Sequence, residues 1–317
     1  MDIIQAEGLK KSYGGTHAVK GISFCVEKGS LFSFLGVNGA GKSTTINILC
    51  SILPKDEGRV TICGFDLDKR AQDIKRRVGV VFQKTVLDDR LTVRENLLTR
   101  AAFYGMGGRA WKKRLAELDE MLSLADILDR PFGKLSGGQR RRADIARGLI
   151  HTPELLFLDE PTTGLDPQTR RTVWETVQRL RHEAQMTVFL TTHYMEEADG
   201  SDRVMILDRG LIAADGSPQE LKNRYSESSL KLYGDLPALR GKLQAAGIAA
   251  GEGENCLIIS CGSAERARAF LVEYAELCQD FEYVKGSMDD VFLTVTGRSL
   301  KGETVLPRHS VRSPCAT

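Results

Sequence analysis

The stretch Gly36-Val37-Asn38-Gly39-Ala40-Gly41-Lys42-Ser43 constrains this chain more than any other. It fits Gly-x4-Gly-Lys-Ser, directly after the apolar run Leu31 to Leu35 and before a helix-forming segment, Thr44 to Leu49. Strand, glycine loop and helix in that order make a cradle for phosphate. The glycines let the loop wrap closely enough for backbone N–H groups to meet phosphate oxygens, and the helix that follows turns its positive end on them. Lys42 adds a point charge near the β- and γ-phosphates, and Ser43 offers a hydroxyl to magnesium. At average composition the pattern arises by chance in roughly one per cent of chains this long, so its context gives it weight.

That context is an alternation of strands and helices. Leu31-Phe32-Ser33-Phe34-Leu35, Val78-Gly79-Val80-Val81-Phe82, Leu155-Leu156-Phe157-Leu158 and Thr187-Val188-Phe189-Leu190 are short apolar or β-branched runs suited to buried strands. Separated by helical segments, they predict an α/β domain with a mostly parallel sheet covered on both faces. Between about Thr92 and Ala146 the pattern turns to continuous helix, Val93 to Tyr104 and then Ala110 to Leu124 across a Gly105 to Gly108 turn, read as an inserted helical subdomain of residues 92–146. With 317 residues the length prior is two domains. The polar, turn-prone segment Asn223 to Ser229 sets the expected boundary, giving a domain of residues 1–225 and a small α+β domain of residues 226–297. The second is expected as strand, helix, strand, helix, strand and short helix. Residues 298–317, with Arg298, Lys301, Arg308 and Arg312 against Glu303, are expected to form a disordered basic tail.

Charge narrows the partners. The 44 basic and 42 acidic residues leave a net charge of +2, so no global field draws the molecule to nucleic acid or an anionic bilayer. The run Arg140-Arg141-Arg142 lacks an aromatic platform and is read as a partly solvated helix face, with no nucleic-acid partner. Seven scattered cysteines, none in Cys-x-x-Cys, favour free thiols in a reducing compartment. No apolar run approaches the roughly 18 residues of a membrane span, so membrane work requires a span from another chain.

The run Leu155-Leu156-Phe157-Leu158-Asp159-Glu160 supplies a buried strand that delivers carboxylates to a metal and a water: Asp159 to magnesium, directly or through water, and Glu160 to the attacking water. Leu135-Ser136-Gly137-Gly138-Gln139 opens another helix, Arg140 to Leu149, and presents a second anion site from a serine hydroxyl and glycine backbone. In this order after the phosphate loop, the segment resembles the signature of ATP-binding cassette (ABC) ATPases. The C-terminal stretch Ser287 to Gly297 is similar to the tail of exporter ATPases of the daunorubicin-resistance and nodulation type.

The resemblance implies a P-loop NTPase cassette with a mostly parallel sheet, an antiparallel edge and an inserted helical subdomain, followed by the small α+β domain. It implies ATP and Mg2+ as cofactors. Gln83 matches the glutamine that senses metal and water, His193 the histidine at the γ-phosphate, Tyr13 the aromatic that stacks on adenine, and Asp166 the aspartate of the dimer interface. Asp166 also fits the N-cap of a helix beginning at Pro167. The implied hydrolytic set is Glu160, His193, Gln83 and Lys42. The implied nucleotide contacts are Tyr13, Gly36, Asn38, Gly39, Ala40, Gly41, Lys42, Ser43 and Thr44, joined by Ser136, Gly137, Gly138, Gln139 and Asp166. Ser43, Gln83 and Asp159 are the implied metal set. Val37, where many relatives carry proline, bears on loop stiffness and leaves the phosphate chemistry alone.

The family's architecture further implies two facing cassettes, identical or different, with each ATP held between Lys42 of one and Ser136 of the other. The expected partner is an integral membrane permease docked near Thr92 to Tyr104, with the chain peripheral on the cytoplasmic face of the membrane. A soluble ATPase acting on nucleic acid or the ribosome, and an importer ATPase, are the competing expectations. The transported compound is not expected to be legible, since the permease reads it.

Overall fold

In the computed structural model, which describes residues 1–297, β1 (Asp2–Tyr13) and β2 (Thr16–Glu27) pair antiparallel, with Tyr13 opposite Thr16. A two-residue hairpin loop needs positive φ, and Gly14 supplies it at 56°. Neither strand is visible as an apolar run, because buried and exposed residues alternate along both. The chain continues through β3 (Leu31–Leu35), α1 (Lys42–Leu49), β4 (Glu57–Ile62), β5 (Phe65–Asp66), α2 (Ala71–Lys75) and β6 (Val78–Val81). An antiparallel sheet runs β2-β1-β4-β5.

Next come α3 (Val93–Phe103), α4 (Gly108–Leu122), α5 (Gly137–Leu149), β7 (Leu155–Asp159), α6 (Pro167–Glu183), β8 (Thr187–Thr192), α7 (Met195–Asp199), β9 (Arg203–Asp208) and β10 (Leu211–Gly216). The second sheet runs β10-β9-β3-β8-β7-β6, and the pairs β9–β3, β3–β8, β8–β7 and β7–β6 are parallel. All four apolar runs of the sequence lie in it.

Side-chain alternation along these strands explains how the sheet is covered. Phe32, Phe34, Phe157 and Phe189 point to the antiparallel sheet, where Phe32, Phe34 and Phe189 pack on Phe24, and the Phe32–Phe189 and Phe157–Phe189 ring centroids are each 5.2 Å apart. Leu31, Leu156, Leu158, Val188 and Leu190 point the other way, into the helices. Both faces are therefore dry, as a parallel sheet requires. Because neighbouring strands are parallel, the C-terminal ends of β3, β6, β7 and β8 emerge along one edge, where open α/β sheets bind ligands.

The helical segment is less continuous than the periodicity predicts. Residues 123–136 hold only a short 3₁₀ turn, Phe132–Lys134. The non-helical stretch is tied back to the start of α3, with Phe132 N–H donating to Leu91 O and Arg94 pairing with Asp129 at 2.7 Å. Thr92 and Glu95 form a reciprocal cap on α3. Buried Arg114 of α4 donates to Leu149 O and Ile150 O, satisfying carbonyls at the end of α5.

The reading of Arg140-Arg141-Arg142 as a partly solvated face needs correction at Arg141, which is buried, while Arg140 and Arg142 are half-buried. Arg140 donates to Gly133 O and Leu135 O, Arg141 to Phe82 O, Asp159 O and Pro161 O, and Arg142 to Leu122 O and Ser123 O. Their guanidiniums hold loop backbone that no regular ladder satisfies.

The chain divides after Asp215, ten residues before the boundary expected at 225. The second unit contains α8 (Pro218–Tyr225), β11 (Ser228–Leu232), α9 (Leu236–Ala245), β12 (Gly251–Gly253), β13 (Cys256–Gly262), α10 (Ala264–Glu273), β14 (Phe281–Val284) and α11 (Met288–Thr296). The boundary shifts because α8 packs on α11, with Pro218, Leu221, Val291 and Phe292 buried on the two helices. β11 to β14 form an antiparallel sheet in the order β12-β13-β11-β14, the split β-α-β-β-α-β arrangement, with Leu230, Leu232, Leu257 and Ile259 in its core. Every expected element is present, and β12 is added. The tail expected at residues 298–317 lies outside the described residues.

Candidate nucleotide site

The loop between β3 and α1 is shaped by backbone that excludes side chains. A Cβ on Gly36 would lie 2.6 Å from Leu207 O, and one on Gly41, at φ 110°, would lie 2.5 Å from Ala18 O. Asn38 and Gly39 are exposed, Ala40 is buried, and Gly210 N–H donates to Ala40 O at 2.9 Å. Thr45 Oγ1 bonds Gly41 O at 3.0 Å, locking the first turn of α1, while Ser43 and Thr44 remain at the surface of that turn. Lys42, 4% exposed, donates from Nζ to Gly36 O at 2.5 Å and Val37 O at 3.3 Å.

Four strand ends meet this lysine. Glu160 Oε1 stands 3.6 Å from Lys42 Nζ, and Glu160 Oε2 stands 3.6 Å from His193 Nδ1. The same Oε2 accepts hydrogen bonds from Gln83 Nε2 at 3.3 Å and Thr163 Oγ1 at 3.1 Å. The structure thus brings together Lys42, Gln83, Asp159, Glu160 and His193. Glu160 reaches its position through a left-handed backbone, φ 44°, unusual for a residue with a side chain. That conformation is fixed by its N–H, which donates to Thr191 O at 3.1 Å and Thr191 Oγ1 at 3.0 Å. Thr191 Oγ1 in turn donates to Asp159 Oδ1 at 2.6 Å.

The two neighbouring carboxyls are pushed in opposite directions. Burial raises Asp159, with the Thr191 hydroxyl, Lys42 and Arg141 opposing. His193 first, then Lys42 and the Thr163 hydroxyl, outweigh burial at Glu160 and hold it at about 2 against an ordinary 4.5. Burial pulls Lys42 down, opposed by Glu160 and Asp159. Glu160 is therefore ionised at neutral pH, a hydrogen-bond acceptor fit to orient water. Its folded value lies below its unfolded one, so the stability it contributes is present above pH 4.5 and lost as the pH falls toward 2. In denaturant unfolding, the wild type is expected to lose stability more steeply than Glu160→Gln across that window. Parallel curves would contradict the charge cluster around Glu160.

The signature segment lies at the start of α5. Ser136 is its N-cap: Oγ accepts from Gln139 N–H at 3.4 Å and Ser136 N–H donates to Gln139 Oε1 at 3.1 Å, so both are engaged with each other. Ser136 and Gly137 are exposed, and Gly137 shares a cavity of about 150 Å³ with Gln83 and Glu160. Asp166 caps α6, accepting from Thr169 N–H at 3.0 Å, and the Thr169 hydroxyl first, then that N–H, hold its carboxyl below the ordinary range. Tyr13 is 50% exposed, with Lys11 Nζ 6.0 Å from its ring centre. Among the described residues, Tyr13, Ser136 and Asp166 make no hydrogen bond or ion pair with the Lys42–Glu160 cluster.

Residue spacing does not disclose the supporting groups. Thr163 and Thr191 bind the carboxylates directly. Glu197, 2% exposed, accepts from Thr162 Oγ1 and, at 2.6 Å, from Thr192 Oγ1, joining the segment after Glu160 to the segment before His193. The one available signal was the hydroxyl pair Thr191-Thr192 closing an otherwise apolar strand.

What this edge of the sheet can do is cradle phosphates on a backbone loop and orient water beside them, which places the chain among the P-loop ATPases. The chain belongs to the ABC transporter family, whose profile matches residues 19–163. It is 38% identical over 309 residues to the daunorubicin resistance ATP-binding protein of Streptomyces coeruleorubidus, covering 93% of this chain and 95% of that one. It is 37% identical to the linearmycin resistance ATP-binding protein of Bacillus subtilis, with 94% and 100% covered, and 38% identical to a Nod factor export ATP-binding protein of Burkholderia orbicola, with 94% and 98% covered. Among solved structures, a dimeric ATP-binding cassette in a post-hydrolysis state with ADP and Pi aligns with a TM-score of 0.61 at 28% identity, covering 68% of this chain and 98% of that one. A cassette from Clostridium perfringens, part of an ABC transporter complex, aligns at 0.66 and 27% identity, with 77% and 95% covered. The chain is an ATPase that binds nucleotide.

Proposed function

We propose that this chain is the ATP-hydrolysing subunit of an exporter, in which two cassettes close on ATP and work a separate membrane permease. The observation that carries the reading is the convergence of Lys42, Gln83 and His193 on the ionised carboxylate of Glu160, with the signature serine exposed on a separate helix start. The named relatives serve daunorubicin resistance, linearmycin resistance and Nod factor export, which favours export here.

In this reading the loop from Gly36 to Thr44 binds the β- and γ-phosphates through backbone N–H groups, and Lys42 leaves its carbonyl partners for phosphate oxygens. Ser43, Gln83 and Asp159 offer the hard oxygen donors that suit Mg2+, which keeps few protein ligands and supplies charge neutralisation on the phosphates. Glu160 accepts a hydrogen bond from water, His193 stands beside it near the terminal phosphate, and Tyr13 offers an exposed ring to the base. Ser136, Gly137, Gly138, Gln139 and Asp166 face the nucleotide of the opposing cassette, which supplies the donors that one cassette lacks.

Among the described residues no helix is long and apolar enough to cross a membrane. A groove of about 220 Å³ lies between the helical segment and the sheet, lined by Ile52, Lys75, Arg100, Tyr104, Arg147 and His151 among others. Ile52 is 58% exposed, and Tyr104 stacks on His151 at 4.3 Å. Burial and the nearby arginines hold His151 down at about 4, so the wall is a neutral ring stack beside three cations. Its complement is a permease helix with an apolar face and a carboxylate. Ile52→Asp is expected to release the chain from membranes while leaving ATP affinity unchanged. Retention on membranes at wild-type levels would contradict docking here.

A further inference from the structure

The inner face of α5 buries three charges. Arg141, Asp144 and Arg147 are 7%, 1% and 7% exposed and lie three residues apart, on one side of the helix. Asp144 Oδ1 accepts from Arg147 Nε at 2.7 Å, and Asp144 Oδ2, buried with no hydrogen-bond partner, stands 3.9 Å from Arg141 Nη1. One carboxylate thus sits between two guanidiniums.

Each guanidinium reaches on to backbone. Arg147 Nη2 donates to Val80 O at 2.8 Å. Arg141 donates from Nη1 to Phe82 O at 2.7 Å, from Nη2 to Asp159 O at 3.2 Å and from Nε to Pro161 O at 2.6 Å. The carbonyls held by Arg141 immediately precede Gln83 and flank Glu160 on both sides, and the one held by Arg147 lies three residues before Gln83. The three charges also span the cavities on either side of α5: Arg147 lines the groove of Ile52 and Tyr104, while Arg141 and Asp144 line the cavity shared by Gln83 and Glu160.

We propose that Arg141, Asp144 and Arg147 form one positioning unit, in which Asp144 sets both guanidiniums and they set the backbone that aims Gln83 and Glu160. The unit touches no phosphate; it acts through the carbonyls it holds. A displacement of Arg147 from the groove side reaches the hydrolytic carboxylate through a single buried aspartate. This inference rests on the ATPase reading of the site.

The test uses the full-length protein as wild type, Asp144→Asn, Arg141→Lys and the double variant, with ATP binding followed by titration and turnover by phosphate release. Each single variant is expected to lower kcat about tenfold or more while KM and the ATP dissociation constant stay within about threefold. Because both changes act on one unit, the double variant is expected within about threefold of the worse single variant. Arg141→Lys keeps a cation beside Asp144 and gives up only the fan of donors, so the test stands even where Asp144→Asn does not fold. Folded single variants with wild-type kcat would overturn the proposal, as would a double variant whose loss equals the product of the single losses. Failure of the ATPase reading is distinguishable, since the wild type itself would then release no phosphate.

Discussion

Glu160→Gln is expected to keep ATP affinity while lowering turnover by about two to four orders of magnitude, the contribution typical of a positioned acid–base group. The side chain keeps its size and its place between Lys42 and His193, so the phosphate loop is untouched. What disappears is the charge. Held at about 2 by His193, Lys42 and Thr163, the wild-type carboxylate accepts at any pH where the protein works, and an amide oxygen is a weaker acceptor for the water to be oriented. With hydrolysis slowed, the variant is expected to accumulate the ATP-bound pair of cassettes, read by light scattering. Turnover at the wild-type rate would remove Glu160 from its assigned role.

Lys42→Ala is expected to act earlier, on binding itself. Losing a charge-assisted contact to phosphate costs about 1.5 to 3 kcal/mol, or about ten- to over a hundredfold in the dissociation constant. There is a second consequence. Lys42 is among the groups that lower Glu160, so its removal lets that carboxyl rise toward its ordinary range. Titration with ATP reads the first effect, and an unchanged isotherm would contradict the phosphate-loop assignment.

These two residues are legible because their chemistry is local in sequence: Gly-x4-Gly-Lys-Ser binds with contiguous backbone, and Asp159-Glu160 ends a continuous apolar strand. Four of the five parallel strands, β3, β6, β7 and β8, are legible as continuous apolar runs because they are buried on both faces. β1 and β2 are not, since half of each faces solvent and the alternation is broken by shifts of register. Thr191 shows in the sequence only as a hydroxyl closing an apolar strand, because its partners Asp159 and Glu160 lie more than thirty residues away and meet it only through the parallel pairing of β7 and β8. Arg141 is the sharpest case. Three arginines in a row suggest a wet face, and only the fold shows that the middle one is buried against the carbonyls of two strand ends. The domain boundary likewise depends on α8 meeting α11, some seventy residues on, which local composition does not register.

The central claim is that hydrolysis needs a second cassette to complete the site that Lys42 and Glu160 begin. It is tested most directly by measuring ATP turnover per chain as a function of protein concentration, with molecular mass followed in the same samples. The account predicts that turnover tracks the fraction of chains paired with another cassette, of this or a second kind, and vanishes where the chain is solitary. Full-rate turnover by material that is monomeric throughout would contradict it.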